Sequence, residues 1–215
     1  MTSGKSSVKS GTVLKPERVG ESGVVNKPVF WAIDPALGAV GVACLEKYFE
    51  HHTGWRVART VCFSPVALAG KVRGLRKADE EQSQVLEMCR QLRTLYEEIT
   101  PSCVILELPN AYAPSVRAVR KLASAVSGLV GFFTALDVPL DWFDQAEVKT
   151  FVLGTEYRKR ARKSEDQKRL LAKEVFGVWQ DLDHDLPLHV TDALALALTA
   201  IHRSGLVGLL SENSG

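Results

Sequence analysis

The chain has little of what a membrane or secreted protein requires. Its longest apolar stretches are interrupted by Asp, Gly or His well before the roughly 20 residues that a membrane-spanning helix needs. Its N-terminus contains no apolar core of the kind found in a signal peptide. We therefore expect a cytoplasmic protein that has no membrane partner.

The sequence is also poor in patterns that bind zinc. Its four cysteines, Cys44, Cys62, Cys89 and Cys103, show no CxxC spacing and mostly lie within apolar runs, which indicates reduced thiols of the core and argues against a zinc ribbon. No His-Glu-x-x-His helix is present, which argues against a zinc hydrolase. We find no internal repeat either.

What remains is the composition of an ordinary globular domain with an uneven charge distribution. The 215 residues are 46% hydrophobic and 24% charged, with a formal net charge of +2, and a chain of this length can bury a sizeable core. Basic residues concentrate between 51 and 78, where no acid occurs, and between 158 and 169. Each cluster suits either a bound polyanion or a solvated helix face.

Hydrophobic periodicity predicts three successive strands, followed by alternating helices and strands. The predicted strands are 29–34, 39–45, about 55–63, 103–107 and near 139–143, and the predicted helices are about 78–99, about 115–136, 146–153, 164–176 and 188–203. We predict an α/β fold with a mixed sheet of about five strands flanked by helices. A flexible tail at 1–27, a domain at 28–205 and a C-terminal tail at 206–215 complete the predicted organisation.

Carboxylates at the ends of two apolar strands are the strongest functional signal. Asp34 and Glu107 each end such a run and are followed closely by proline, and Asp192 lies three residues after His189 in a predicted helix. A separation of three residues places both side chains on one helical face, and an unpaired carboxylate in a buried strand is costly. The pattern predicts a site for two Mg²⁺ ions, with Mn²⁺ as the alternative. We assign Asp34 as the bridging ligand, Glu107 and Asp192 as ligands of one ion each, and His189 as a ligand or a group that orients water.

Each of these residues also has an ordinary structural explanation. A strand-end acid such as Asp34 or Glu107 often caps the following turn or helix. His189 and Asp192 could simply be polar residues of a first helical turn, where negative charge favours the helix dipole. These explanations would all have to hold together for the site to be absent.

Several segments resemble RuvC-type Holliday junction resolvases over about residues 29–203. They are Trp-Ala-Ile-Asp-Pro at Asp34, Val-Ile-Leu-Glu-Leu-Pro at Glu107, Val148-Lys149, Lys163-Ser164 and His-Val-Thr-Asp at 189–192. The resemblance implies a ribonuclease H-like fold, a homodimer, and Mg²⁺-dependent paired nicks in a four-way junction during DNA recombination or repair. It also implies an association with the nucleoid, or with the host cytoplasm if a phage encodes the protein.

The resemblance implies the same four metal ligands and adds further residue roles. Metal ligands would be Asp34, Glu107, His189 and Asp192, and Lys163 would lie near the scissile phosphate as part of the catalytic set. Lys149 matches a basic DNA-contacting position, although it could be merely solvent-exposed, and Tyr112 could replace a stacking aromatic residue. The expected DNA-binding residues are Tyr112, Lys149, Arg158, Lys159, Arg160 and Arg162.

The helix at 115–136 resembles the dimerisation helix of that family. Its small residues, including Ala125 and Gly128, could face a second subunit or pack within their own chain. The turn after Asp34 is shorter than in the family and the tail at 1–27 has no counterpart, which leaves junction selectivity open. A nuclease acting on flaps, forks or RNA–DNA hybrids and a non-catalytic DNA-binding scaffold are the alternative functions.

Overall fold

A computed structural model describes residues 9–10, 27–65, 77–108, 115–157 and 164–212. The strands are β1 (Lys9–Ser10), β2 (Val29–Asp34), β3 (Val40–Lys47), β4 (Trp55–Phe63), β5 (Cys103–Leu108) and β6 (Leu140–Asp144). The described helices are α1 (Lys77–Glu98), α2 (Val116–Thr134), α3 (Gln145–Leu153), α4 (Ser164–Val178), α5 (Leu188–Arg203) and α6 (Gly205–Glu212).

One mixed sheet organises the described part of the chain, in the order β1-β4-β3-β2-β5-β6. The pairs on the β1 side of β2 are antiparallel, whereas β2–β5 and β5–β6 are parallel. Parallel neighbours need a crossover connection. The chain passes from β4 through α1 to reach β5 beside β2, and α2 connects β5 to β6. All five predicted strands are present, and the two-residue β1 adds a sixth at the sheet edge that the sequence pattern did not predict.

Helices cover both faces of the sheet, as the near-continuous apolar strands require. In β2, Trp31 and Ile33 pack in the core shared with α1 and α2, whereas Phe30 and Ala32 pack in the core shared with α3, α4 and α5. Side chains alternate along a strand, so Asp34 belongs to the same face as Phe30 and Ala32. The acidic end of β2 therefore faces α5.

The most deeply buried helix is α5, in which Ala193, Leu194, Ala195, Leu196 and Ala197 are fully buried. It ends at Arg203, and the hydroxyl of the C-cap residue Ser204 donates to Asp141 Oδ2 of β6 at 2.5 Å. Residues 206–212, expected to begin a C-terminal tail, instead belong to α6. Of the described helices, none is long and apolar enough by itself to cross a membrane. One pair of described helices, α5 and α6, reaches the required length and apolar composition when the two are taken together, but the pair is bent by 67°.

Small residues of α2 pack against α1 of the same chain. Ala125 is fully buried, and a Cβ atom added to Gly128 would lie 2.5 Å from Val85 Cγ1. Of the two arrangements left open for Ala125 and Gly128, the structure shows packing within the chain, and the suggestion that these residues face a second subunit is corrected because α1 already occupies that face. A glycine here lets two helices of one subunit approach closely.

Candidate metal centre

Two strand ends bring the first two carboxylates to the same edge of the sheet. Asp34 is the last residue of β2, and Glu107 precedes the last residue of β5. These strands are parallel with Ile33 opposite Leu106, so the two acids follow at neighbouring positions. Glu107 is only 9% exposed, and it shares its face with Ile105, which packs in the α5-side core.

The N-terminus of α5 supplies the other two residues. The helix begins after Pro187, which caps it without a side-chain hydrogen bond, and its first turns carry His189 and Asp192. His189 Nδ1 donates to Asp34 Oδ2 at 2.5 Å. Asp34, His189 and Asp192 each offer a ligand atom within 4.8 Å of the other two, so residues separated by more than 150 positions in the chain form one cluster.

Glu107 is not a member of the group whose ligand atoms lie within 4.8 Å of one another, but it interacts electrostatically with Asp34 and Asp192. Burial raises the pKa of Glu107 well above its ordinary value, and the negative charges of Asp34 and Asp192 raise it further. Lys149 of α3 acts in the opposite direction. The charges of the four predicted ligands therefore influence one another, and three of the four have ligand atoms within 4.8 Å of one another.

The other members of the cluster are perturbed for related reasons. Burial and the charge of Asp34 raise the pKa of Asp192 to about 6, against the opposing effects of His189, Lys149 and Lys168. The hydrogen bond to Asp34 raises the pKa of His189. The site therefore holds more negative charge than its neighbouring cations offset, and a bound divalent cation would relieve this excess.

Two lysines flank the cluster, one predicted and one not. Lys149 lowers the pKa of Glu107 and of Asp192, and Lys168 of α4 lowers the pKa of Asp192 and of His189. Lys168 also pairs with Glu165 at 3.0 Å. Sequence reasoning placed Lys168 only within a basic run, and the packing of α4 against α5 is what brings its charge to the site.

Several predicted residues lie outside the described part of the chain. Five of them were expected to bind DNA and one to act near the scissile phosphate. They are Tyr112, Arg158, Lys159, Arg160, Arg162 and Lys163.

The donor set fits a hard divalent cation. Carboxylate oxygens dominate it, and one imidazole nitrogen completes it, a combination that suits Mg²⁺ or Mn²⁺. When Nδ1 of a neutral His189 donates to Asp34, the lone pair on Nε2 is left for a ligand.

Comparison with solved structures identifies the fold. A Thermus thermophilus RuvC structure has a TM-score of 0.59 and 18% sequence identity, over 80% of this chain and 92% of that one. A structure of T. thermophilus RuvC in complex with a Holliday junction substrate has a TM-score of 0.58 and 16% identity, over 80% and 91%. No protein-family model matches this sequence, and no curated protein matches it. The predicted ribonuclease H-like α/β fold is confirmed.

Proposed function

We propose that this protein is a divalent-metal-dependent DNA endonuclease that resolves four-way junctions by paired nicks. The observation that carries the proposal is the convergence of Asp34, His189 and Asp192 beside the buried Glu107. The fold is shared with a RuvC whose structure contains a Holliday junction substrate, which supports the choice of substrate. A non-catalytic scaffold would have no use for buried carboxylates that repel one another.

Asp34, Glu107, Asp192 and His189 would hold the metal. When bound, two Mg²⁺ ions would activate water and stabilise the leaving oxygen of a phosphodiester. The chain contributes orientation, because the hydrogen bond between His189 and Asp34 fixes both side chains.

Positive charge beside the acids would help to place the DNA backbone. Lys149 and Lys168 act electrostatically on the cluster, and a phosphate approaching four acidic or metal-ligating groups needs compensating charge. Lys163 would complete this set near the scissile phosphate. The basic residues Arg158, Lys159, Arg160 and Arg162 would bind phosphates along the arms, with Tyr112 stacking on a base.

Paired nicks would require two copies of the site, and an exposed face of α2 is our candidate contact. Ala123, Ser127 and Gly131 recur every four residues on that face and are exposed. A Cβ atom added to Gly131 would have no neighbour within 4 Å, although a glycine inside a helix costs about 1 kcal/mol relative to alanine. Close packing against a second copy around a two-fold axis would explain these small residues.

Sedimentation velocity tests the dimer. Ala123→Glu should yield monomers and uncouple the two nicks, while Gln180→Glu, an exposed substitution after α4, should leave a dimer. A wild-type protein that is monomeric yet nicks both strands in a coupled manner would refute this contact.

The central experiment compares cleavage of a four-way junction, a flap and a linear duplex of matched sequence. With Mg²⁺, the wild-type protein should cut the junction in strands of like polarity, and Asp34→Asn should bind it without cutting. Preferred cleavage of the flap would favour the alternative nuclease. Junction binding without cleavage by the wild-type protein, under any tested divalent metal, would indicate a scaffold.

A further inference from the structure

The first turn of α5 lies directly on one residue of the sheet, Gly41. This glycine is in β3, opposite Asp34 on β2 and Cys62 on β4. A Cβ atom added to Gly41 would lie 1.9 Å from the carbonyl oxygen of His189 and 2.7 Å from the backbone nitrogen of Val190. Real Cβ atoms essentially never approach other atoms closer than 3.0 Å, so the backbone of α5 occupies the place of a side chain.

The glycine is there for clearance and not for backbone conformation. The described glycines with positive φ are Gly54 and Gly154, and Gly41 is not among them. A glycine inside a strand destabilises it by roughly 0.5–1 kcal/mol relative to alanine, and close approach of another backbone is a known reason to keep one. The obstructing atoms at Gly41 are backbone atoms, which cannot rotate away as a side chain can.

Side chains on the same face of β3 become larger with distance from the site. Gly41 is followed on this face by Ala43 and then Leu45, both fully buried in the α5-side core. The strand therefore offers α5 the most room under its first turn, which is the turn that carries His189.

We infer that Gly41 is a positioning residue that seats the first turn of α5 on β3, so that His189 and Asp192 reach Asp34. Gly41 has no side chain to offer a substrate or a metal, and the inference rests on the proposed function insofar as the cluster is a metal centre. Any side chain at this position would lift the first turn and separate the helix ligands from the strand ligand.

Gly41→Ala tests this with two matched controls. Gly128→Ala also creates a close contact, 2.5 Å from Val85 Cγ1, but on the α1 side of the sheet, and Gly38→Ala adds a methyl group with nothing within 4 Å. The measurements are Mn²⁺ affinity without DNA, junction cleavage, melting temperature, and the distance between His189 Nδ1 and Asp34 Oδ2 in a crystal structure of each variant.

We expect Gly41→Ala to lengthen that distance, weaken Mn²⁺ binding by about 10- to 100-fold and slow cleavage by on the order of 100-fold. Gly128→Ala should lower the melting temperature with little change in Mn²⁺ affinity. If Gly41→Ala does not fold, Ala43→Val replaces it and should produce a smaller loss in the same direction.

An unchanged contact and unchanged Mn²⁺ affinity in the variant that folds would overturn the inference. Equal losses of Mn²⁺ affinity in Gly41→Ala and Gly128→Ala would also overturn it, because they would reflect general destabilisation. Failure of the proposed function is a separate result: the wild-type protein would then cut no branched DNA, while the crystal structures would still show whether Gly41 seats the helix.

Discussion

Two buried glutamates on opposite sides of the sheet show how differently this fold treats a carboxylate. Glu81 of α1 is 7% exposed and Glu107 is 9% exposed. Arg120 donates to Glu81 at 2.8 Å and lowers its pKa. Glu107 instead faces Asp34 and Asp192, and burial and their charges raise its pKa.

The two sites differ in how the charge of the carboxylate is compensated. An adjacent arginine compensates the charge of Glu81, and this is how a stable fold accommodates a buried acid. At the sheet edge Lys149 and Lys168 only partly offset the negative charge of the acids, and a bound divalent cation would relieve the remaining repulsion. Buried acids whose pKa values are raised by one another's charge are typical of active sites.

Replacing each glutamate by glutamine should give opposite results. Glu107→Gln should reduce cleavage by about 1000-fold or more, because the loss of a metal ligand removes several kcal/mol of transition-state stabilisation. It should also raise the melting temperature of the metal-free protein at pH 7, because glutamine replaces a carboxyl whose ionised form is disfavoured by burial and by the neighbouring acids. Glu81→Gln should lower the melting temperature and preserve cleavage. Single-turnover cleavage and thermal unfolding of the two variants measure both effects.

The same loss of cleavage is expected for Asp34→Asn and Asp192→Asn. Junction binding should persist or tighten in both, since less negative charge repels the phosphates. Cleavage at near wild-type rate under saturating Mg²⁺ would remove the residue from the metal centre.

His189 can be tested by substitutions that differ in their ability to bind metal. His189→Asp should retain activity because a carboxylate can also ligate, whereas His189→Ala should lose about 10- to 100-fold in metal affinity. Isothermal titration with Mn²⁺ and cleavage assays give the two readouts. Equal affinity in all three forms would assign His189 a structural role.

Metal affinity should fall as the pH is lowered through about 6, the value to which the pKa of Asp192 is raised. Below that pH the carboxyl holds a proton that the metal must displace, so affinity should decrease by up to about tenfold per pH unit. The raised pKa of Glu107 acts in the same direction. Glu81→Gln should leave the pH dependence of metal affinity unchanged. Glu81 lies on the opposite side of the sheet, and the hydrogen bond from Arg120 lowers its pKa. A flat Mn²⁺ affinity between pH 5 and 7.5 would contradict this prediction.

The smallest expected effect concerns the basic segment. Changing Arg158, Lys159, Arg160 and Arg162 to alanine should weaken binding to every DNA sequence and reduce the salt dependence of affinity by up to about 0.9 per lost phosphate contact. Fluorescence anisotropy at several salt concentrations measures the slope. An unchanged slope would identify these residues as a solvated surface, and Mn²⁺ affinity should be unaffected in either case.

Much of the architecture could be predicted because it is encoded locally. Alternation and apolar runs located the five main strands within a few residues, and the strand-end positions of Asp34 and Glu107 predicted that they would lie at one edge. The spacing of His189 and Asp192 predicted a shared helical face. Periodicity gave no signal for the two-residue β1, and it left open whether Ala125 and Gly128 of α2 pack within the chain or against a second subunit.

The sequence by itself determined the elements, their order and the acidic residues at their ends, because side-chain periodicity depends only on neighbours along the chain. Only the tertiary structure decided which faces meet. The closeness of α1 to Gly128, the seating of α5 on Gly41, and the excess charge around Glu107 each depend on the distance between backbones far apart in sequence. Those distances are set by packing the whole core, so no local pattern could reveal them.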